Sequence, residues 1–275
     1  MNAAPDDRRG RHLERELPSW SSSSVASFMP SNPVRLLVLA HGYPWPDGSR
    51  SDADLIGYAQ AAVQRWAAFA ERHHAIVVAP AFGGQEFPLY REMLGRSIDP
   101  DKYVNLLAAK AGQEHIAGFG GRFSLHGHSA GAQFAARCLV THPRRLDEVI
   151  LSAPSAFPMP DPGIPWPNGM APARGFEFSP RAAGWLAAAS EVRVTVLVGS
   201  RDTEQRPPAP GQQGATRIER GGAWVESMRH HAQGEGKAAS IRFVSAEGLD
   251  HDEEAMAAPA QEIMAQSWRT ADLRR

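Results

Sequence analysis

A serine between two glycines stands in the segment Gly127-His128-Ser129-Ala130-Gly131. An apolar run precedes it at residues 123–126, and a helical pattern follows at residues 130–141. A G-x-S-x-G sequence between a strand and a helix forms a tight turn from which the serine hydroxyl projects, and the glycines let the strand and the helix approach closely. The spacing predicts that Ser129 is a nucleophile. The alternative is a glycine-rich helix start.

Such a serine needs a base to take its proton and a carboxylate to orient that base. A carboxylate candidate follows the apolar run at residues 192–199, where the chain reads Gly199-Ser200-Arg201-Asp202-Thr203. Open α/β sheets bind their ligands beyond the carboxyl ends of the strands, which favours Asp202. Glu204 is a nearby competitor, and a turn-capping role for Asp202 is the purely structural alternative.

Three histidines downstream of Asp202 could be the base. His230 and His231 belong to a helical pattern at residues 218–231, which indicates a surface or packing role. His251 lies in the segment after the apolar run at residues 241–245, and we predict that it is the base. Asp250 and Asp252 flank His251 and could add to its electrostatic field, although solvated loop charges are the simpler interpretation.

The elements that must position these side chains alternate along the chain from residue 34 onward. Short runs that are apolar on both faces predict buried parallel strands at residues 34–40, 75–79, 123–126, 148–152, 192–199 and 241–245. Helical spacing of apolar residues predicts helices at residues 54–72, 103–111, 130–141, 180–189, 218–231 and 253–268. The alternation predicts an α/β fold with a mostly parallel central sheet and helices on both faces.

Two segments do not fit this alternation. Residues 1–33 carry charges, prolines and a run of four serines, which predicts an N-terminal tail leading into one or two short strands. Residues 155–179 are rich in proline and aromatic side chains. Their length predicts an irregular, cap-like insertion within one domain that spans residues 34–275.

The order serine, acid, histidine, carried here by Ser129, Asp202 and His251, resembles that of the α/β-hydrolase superfamily over residues 34–268, specifically its serine carboxylesterase and lipase-like members. The resemblance implies hydrolysis of a small-molecule carboxylic ester through an acyl-enzyme, without a cofactor. The same triad also serves thioesters, amides, carbon–carbon bonds and hydroxynitrile lyases. A non-catalytic binding protein on the same scaffold is a further alternative.

The tetrahedral intermediate of such a reaction needs backbone N–H donors. The resemblance implies that one donor is the N–H of Ala130, directly after the nucleophile. The second is expected in the loop His41-Gly42-Tyr43-Pro44, where proline has no N–H and Tyr43 is the natural donor. This His-Gly-x-Pro sequence resembles the loop of epoxide hydrolases, but those enzymes use an aspartate nucleophile where this chain has Ser129. The loop also lacks the His-Gly-Gly-Gly sequence of hormone-sensitive lipases.

Two near copies, Pro44-Trp45-Pro46-Asp47-Gly48 and Pro165-Trp166-Pro167-Asn168-Gly169, follow two different strands. One hypothesis is that Trp45 and Trp166 form walls of the substrate pocket, with His128 beside it. The alternative is that the tryptophans pack the two loops together and that His128 braces the loops around the serine.

Composition excludes several other classes. Of 275 residues, 43% are hydrophobic and 21% charged, which suits a large core. A net charge of -1 offers no broad basic surface to nucleic acid. His41, His126 and His128 lack the spacing of a zinc site, so no metal is expected. No apolar stretch approaches the roughly 18 residues of a membrane span, and the charged N-terminus does not read as a secretory signal, so a cytoplasmic location is expected.

Overall fold

The computed structural model describes residues 25–42, 52–83, 86–173 and 189–273. The strands are β1 (Val25–Phe28), β2 (Arg35–Ala40), β3 (Ala75–Pro80), β4 (Phe123–His128), β5 (Leu146–Ser152), β6 (Arg193–Gly199) and β7 (Ile241–Ala246). The helices are α1 (Asp52–Arg72), α2 (Pro100–His115), α3 (Ala130–Thr141), α4 (Arg217–Gly234) and α5 (Glu253–Asp272). Short 3-10 turns lie at Tyr90–Glu92 and Pro143–Arg145.

The strands form one seven-stranded sheet in the order β1-β3-β2-β4-β5-β6-β7. Strand β1 is antiparallel to β3, and all other neighbours are parallel. Parallel neighbours require crossovers, and helices α1, α2, α3 and α4 lie in the connections before β3, β4, β5 and β7. The carboxyl ends of the parallel strands meet at one edge of the sheet. The segments that follow β2, β4, β6 and β7 therefore converge on that edge.

Two apolar clusters cover the two faces of the sheet. Alternate residues of β2 belong to different clusters: Leu36 and Val38 face α2, α3 and α4, and Leu37 and Leu39 face α1 and α5. All four are at most 3% exposed. This alternation is the two-residue side-chain period of a strand that is buried on both faces. The sheet is thus the rigid middle layer of three.

The structure confirms the predicted fold class and adjusts the element bounds. Helix α2 begins at Pro100, three residues before the predicted start, because proline suits the first helical turn, where an amide needs no helical acceptor. Strand β7 is an edge strand with exposed side chains such as Arg242, so the prediction that it is apolar on both faces was wrong. The predicted helix at 180–189 lies, except for Ala189, outside the described residues.

One strand, β1, is described within the predicted N-terminal segment 1–33. Residues 155–173 of the predicted insertion contain no helix or strand. The division into tail, domain and cap-like insertion stays a prediction. Within the described ranges, no helix combines the length and the apolar character needed to cross a membrane.

Candidate active site

The turn between β4 and α3 holds Ser129 in a strained conformation, with φ 51° and ψ -109°. The Ser129 N–H donates to the Ser152 carbonyl of β5 at 2.8 Å. A Cβ at Gly127 would lie 2.2 Å from the Gly131 carbonyl oxygen, and one at Gly131 would lie 2.0 Å from the Ala40 carbonyl oxygen. Both positions therefore require glycine, and the turn has the close strand–helix contact expected of a nucleophile elbow.

A chain of two hydrogen bonds joins the three predicted catalytic side chains. The Ser129 Oγ lies 3.0 Å from Nε2 of His251, and His251 Nδ1 lies 2.9 Å from Oδ2 of Asp202. These contacts fit a neutral imidazole that accepts from the serine hydroxyl at Nε2 and donates from Nδ1 to the carboxylate. The Asp202 side chain is 1% exposed and that of His251 is 35% exposed. The imidazole is therefore accessible to a substrate, whereas the carboxylate is buried.

Asp202 and His251 sit on two loops that are hydrogen-bonded to each other. The Arg201 N–H donates to the Leu249 carbonyl at 2.8 Å, and Gly248 N–H donates to Ser200 Oγ at 2.8 Å. A Cβ at Gly199 would lie 2.4 Å from the Leu249 carbonyl oxygen. The end of β6 therefore needs glycine so that the loop carrying His251 can cross it.

The Asp202 carboxylate is also held from its other side. Arg217 Nη1 donates to Asp202 Oδ1 at 2.5 Å, and Arg217 Nη2 donates to Glu204 Oε2 at 3.0 Å. Burial raises the pKa of Asp202, but the hydrogen bond from His251 and the charge of Arg217 outweigh it and hold the pKa below its usual value. Glu204, the sequence competitor, is half exposed and pairs with Arg206 and Arg217 instead of the imidazole.

The two other candidate bases lie on α4, and the two aspartates that flank His251 make local hydrogen bonds. His230 is exposed on α4, and His231 Nδ1 lies 2.8 Å from the Ser227 carbonyl of the same helix. Asp252 is the N-cap of α5 and accepts from the Ala255 N–H at 2.7 Å. Asp250 accepts from the Asp252 N–H at 3.1 Å. The two aspartates therefore shape the turn after His251.

The first two residues of the predicted oxyanion loop are fixed by buried contacts. His41 Nε2 accepts from the Phe82 N–H at 3.0 Å, and His41 Nδ1 lies 2.7 Å from the Gly42 carbonyl. The Tyr90 hydroxyl donates to the His41 carbonyl at 2.6 Å. Burial lowers the pKa of His41, which keeps its Nε2 available as an acceptor. The buried ring therefore fixes the loop to the sheet edge.

The structure describes Ala130, one of the two predicted oxyanion donors, but not Tyr43, the other. Ala130 is the first residue of α3, where an N–H has no acceptor within the helix. That amide is free of helical bonding beside the Ser129 hydroxyl, as the prediction requires. Tyr43 and Trp45 lie outside the described residues. The oxyanion assignments stay predictions.

Glu253 was not identified from the sequence as a site residue. Its carboxylate contacts the start of the predicted oxyanion loop, and it follows His251 closely in the chain. Glu253, two residues after His251, accepts from the Gly42 N–H at 3.4 Å and from the Tyr58 hydroxyl. Arg65 Nη2 lies 3.4 Å from its second carboxylate oxygen. Burial and the Glu253 charge raise the pKa of Tyr58, so this hydroxyl remains a donor. One carboxylate thus contacts α1 and the start of the loop.

His128, the residue before Ser129, packs beside His251. Its ring centroid lies 5.0 Å from that of His251, and the residue is 3% exposed. Burial, followed by repulsion from His251, lowers the pKa of His128 to about 3. His126, on the same strand, is also buried, and its Nε2 lies 3.0 Å from Ser152 Oγ. Both imidazoles are neutral near pH 7 and brace the elbow; a pocket role for His128 stays a prediction.

The described part of the insertion is anchored to α3 and α4. The Trp224 indole N–H donates to the Pro158 carbonyl at 2.9 Å, and Arg137 Nε donates to the Pro167 carbonyl at 3.0 Å. Trp166 is 2% exposed and belongs to the core cluster that contains α3. Trp166 therefore packs in the core, and because residues 43–51 lie outside the described ranges, both the pocket wall and the packing of the two loops stay predictions.

No group of three or more His, Cys, Asp or Glu side chains among the described residues is arranged to hold a metal ion. His41, His126 and His128 make the separate contacts given above. Cys138 is buried in α3, and burial raises the pKa of its thiol well above its usual value. A thiol that stays protonated is a poor nucleophile.

This chain is similar to known proteins in its three-dimensional structure. No protein-family model matches the sequence, and no curated protein matches it. A poly(aspartic acid) hydrolase-1 from Sphingomonas sp. KT-1 is similar, with a TM-score of 0.70 and 22% identity, over 86% of this chain and 91% of that one. LpqC, a poly(3-hydroxybutyrate) depolymerase from Bordetella parapertussis, gives 0.69 and 22% over 89% and 87%. An S-formylglutathione hydrolase from Agrobacterium tumefaciens gives 0.57 and 15% over 89% and 88%.

This chain has the α/β-hydrolase fold. The three structures share that fold with it at identities that are too low to transfer an activity. Within this α/β-hydrolase fold, Arg217 and Glu253 contact the predicted site residues although no sequence pattern had marked them as site residues. The signal for Arg217 was the sequence Thr216-Arg217-Ile218-Glu219, a capping box that fixes a helix start directly at the arginine.

Proposed function

We propose that this protein is a serine hydrolase that cleaves carboxylic esters through an acyl-enzyme. The observation that carries the proposal is the continuous hydrogen-bonded chain from Ser129 through His251 to Asp202, with distances of 3.0 Å and 2.9 Å. A chain of this kind activates a hydroxyl, because the imidazole can accept its proton as the oxygen attacks. The strained backbone at Ser129 supports the same role, since such strain persists where the surroundings enforce it.

The reaction follows from these contacts. Ser129 Oγ attacks the ester carbonyl while His251 Nε2 takes its proton, and Asp202 stabilises the resulting imidazolium through Nδ1–H. The Ala130 N–H, and Tyr43 N–H by resemblance, would hold the oxyanion. His251 then gives the proton to the leaving alcohol. Water, deprotonated by the same imidazole, then attacks the acyl-enzyme carbonyl. As the bond to Ser129 Oγ breaks and the acid leaves, His251 returns the proton to Ser129 Oγ.

The names of the similar structures include a polyester depolymerase and a poly(aspartic acid) hydrolase, so the scissile bond needs its own test. A p-nitrophenyl ester series from acetyl to dodecanoyl tests ester cleavage and reports the length of acyl chain accepted. Soluble poly(aspartic acid) and oligomeric 3-hydroxybutyrate are separate arms. Turnover of the polyamide alone would replace the ester proposal with an amide one, and cyanide release from a cyanohydrin without an acyl-enzyme would replace it with lyase chemistry.

The nucleophile itself is tested by labelling. A fluorophosphonate should add one adduct by intact mass to the wild-type protein and to Ser240→Ala, an exposed serine before β7, and none to Ser129→Ala. With a p-nitrophenyl ester, a burst of nitrophenol close to the enzyme concentration would report the acyl-enzyme. A wild-type protein that takes no label would favour a binding protein on this scaffold.

A further inference from the structure

Both oxygens of the Asp202 carboxylate are occupied by different partners. Oδ2 accepts from His251, and Oδ1 accepts from Arg217 Nη1 at 2.5 Å. The Arg217 side chain is 4% exposed and that of Asp202 is 1% exposed, so this ion pair is shielded from water. A carboxylate with one oxygen held by a buried guanidinium cannot rotate freely about its terminal bond. Its second oxygen is therefore directed at the imidazole.

The local sequence fixes where Arg217 stands. Thr216 is the N-cap of α4: its hydroxyl accepts from the Glu219 N–H at 3.2 Å, and Glu219 Oε2 accepts from the Thr216 N–H at 3.0 Å. This reciprocal capping box determines the first helical residue, which is Arg217. The capped helix start therefore presents the guanidinium to the end of β6.

Nothing in the helix itself favours an arginine at that place. The N-terminus of a helix carries partial positive charge, so a cation there is unfavourable, and burial of a guanidinium adds a cost in desolvation. Arg217 bears both costs, and its partners Asp202 and Glu204 offset them. Residues that break local rules in this way concentrate at functional sites.

The charges around the pair have a defined arrangement. Glu204 also pairs with Arg206 at 2.7 Å at the surface, and Arg220 lies one turn after Arg217 on α4. On the side of His251, the neighbouring groups are neutral His128, the Asp252 N-cap and Asp250, which accepts from the Asp252 N–H. Arg217 is the cation bonded to the Asp202 carboxylate, and the half-exposed Glu204 carboxylate partly compensates the positive charge of Arg217.

We propose that Arg217 is a positioning residue of the triad: it fixes the Asp202 carboxylate toward His251, and its charge limits how strongly Asp202 favours a protonated imidazole. This proposal rests on the proposed function, because it assigns a role within the same triad. The base must be neutral to accept the serine proton, and a fully uncompensated buried carboxylate would keep it protonated at higher pH. Loss of the Arg217 charge should therefore move the acidic limb of the rate profile to higher pH.

Arg217→Gln removes the charge, and Arg217→Lys keeps it. In Arg217→Gln we expect kcat to fall 10- to 100-fold with KM within twofold, and the acidic limb of the kcat/KM profile to move about 0.5 to 1 pH unit higher. In Arg217→Lys the limb should stay at the wild-type position, and part of kcat should return. Guanidinium ion added to Arg217→Ala should restore part of the rate.

The matched control is Arg220, which is equally buried on α4 but donates only to backbone carbonyls, including Ser155 at 2.9 Å and Gly214 at 3.0 Å. Arg220→Gln should lower the free energy of unfolding without moving the acidic limb of the kcat/KM profile.

A second test changes a half-exposed residue instead of a buried one. Glu204→Gln leaves the Arg217 charge less compensated, so the acidic limb should move about 0.2 to 0.5 pH unit lower. A shift in Arg220→Gln equal to that in Arg217→Gln, or an unmoved limb in both Arg217→Gln and Glu204→Gln, would overturn the proposal.

The titration of His251 followed by NMR separates this proposal from the proposed function, because it needs no substrate. We expect its midpoint to rise in Arg217→Gln and to fall in Glu204→Gln, in step with the limbs. If the wild-type protein takes no fluorophosphonate, the proposed function fails while the NMR shifts still report on Arg217. If labelling and turnover are normal and the midpoints do not move, the role of Arg217 fails alone.

Discussion

The first turn of α3 lies directly against the end of β2: a Cβ at Gly131 would be 2.0 Å from the Ala40 carbonyl oxygen. The same Cβ would be 2.6 Å from the His41 carbonyl oxygen. These are backbone atoms, and they cannot yield as the tip of a side chain can. This contact joins the turn at Ser129 to the end of β2, directly before the predicted oxyanion loop. The position of Ser129 relative to that loop therefore depends on the close backbone contact at Gly131.

Replacement of Gly131 by alanine should therefore damage the fold and the site together. We expect Gly131→Ala to lower the free energy of unfolding by about 3 kcal/mol or more, as forced overpacking against backbone does. Urea unfolding measures this loss. Gly57→Ala on α1 is the matched control, because nothing lies within 4 Å of its added Cβ. It should raise stability by about 0.5 to 1 kcal/mol, and equal losses in both variants would contradict the steric explanation.

The Glu253 carboxylate is expected to control the rate of the chemical step. It holds the Gly42 N–H and the Tyr58 hydroxyl, and it begins α5 two residues after His251. Glu253→Gln keeps the shape but weakens both hydrogen bonds by removing the charge. We expect kcat to fall about 10-fold with little change in KM, the pattern of an interaction that matters in the transition state.

Glu254→Gln is the matched control for this carboxylate, because Glu254 is the exposed neighbour on the same helix turn. Its kinetics should equal those of the wild-type protein. Tyr58→Phe combined with Glu253→Gln should cost less than the sum of the single changes, since both act through one contact. Additive losses would show that Glu253 and Tyr58 act independently. A rise in KM alone would show that Glu253 acts on substrate binding instead.

The contact among Ser129, Asp202 and His251 could be predicted because these residues follow strands whose apolar runs are plain in the sequence. Ser129, Asp202 and His251 each stand just beyond the carboxyl end of such a run, and parallel strands bring those ends to one edge. The order of strands did not have to be known for this. Proximity of the strand ends, together with the serine, acid, histidine order of the family that the sequence resembles, was enough to name the residues, whereas the hydrogen-bond distances are seen only in the structure.

The supporting residues could not be predicted in the same way. Arg217 and Glu253 are the first residues of helices, and a charge at a helix start reads as an exposed terminus in a sequence. Their role depends on which loop crosses in front of each helix, and that is set by strand order and by the close approach at Gly199. The burial of Trp166, which is 2% exposed, could likewise not be predicted from its Pro-Trp-Pro setting, because that setting fits both a pocket wall and a packing residue.

A buried acid far from the triad should make stability depend on pH. Glu148, at the start of β5, has a 2% exposed side chain, and its Oε2 has no hydrogen-bond partner among the described residues. Burial raises its pKa to about 7, against the lowering effects of Ser267, Arg193 and Arg242; the half-exposed Asp147 raises it further. The Arg193 contact is long, at 3.9 Å.

Because the folded pKa lies above the ordinary value of 4.5, the stabilisation from a neutral Glu148 is complete below pH 4.5 and is lost as the pH rises toward 7. The loss is about 3 kcal/mol at most, at 1.36 kcal/mol per pH unit. Glu148→Gln removes this ionisation, so it should be more stable than the wild-type protein by about 1 to 2 kcal/mol at pH 8 and should lose that advantage at pH 4.5. Urea unfolding across that range measures the difference, in which all other titrating groups cancel.

Asp147→Asn, which removes a half-exposed partner of Arg122, should change stability by less than about 0.5 kcal/mol at either pH. A constant difference between Glu148→Gln and wild type at both pH values would mean that Glu148 is already ionised in the folded protein.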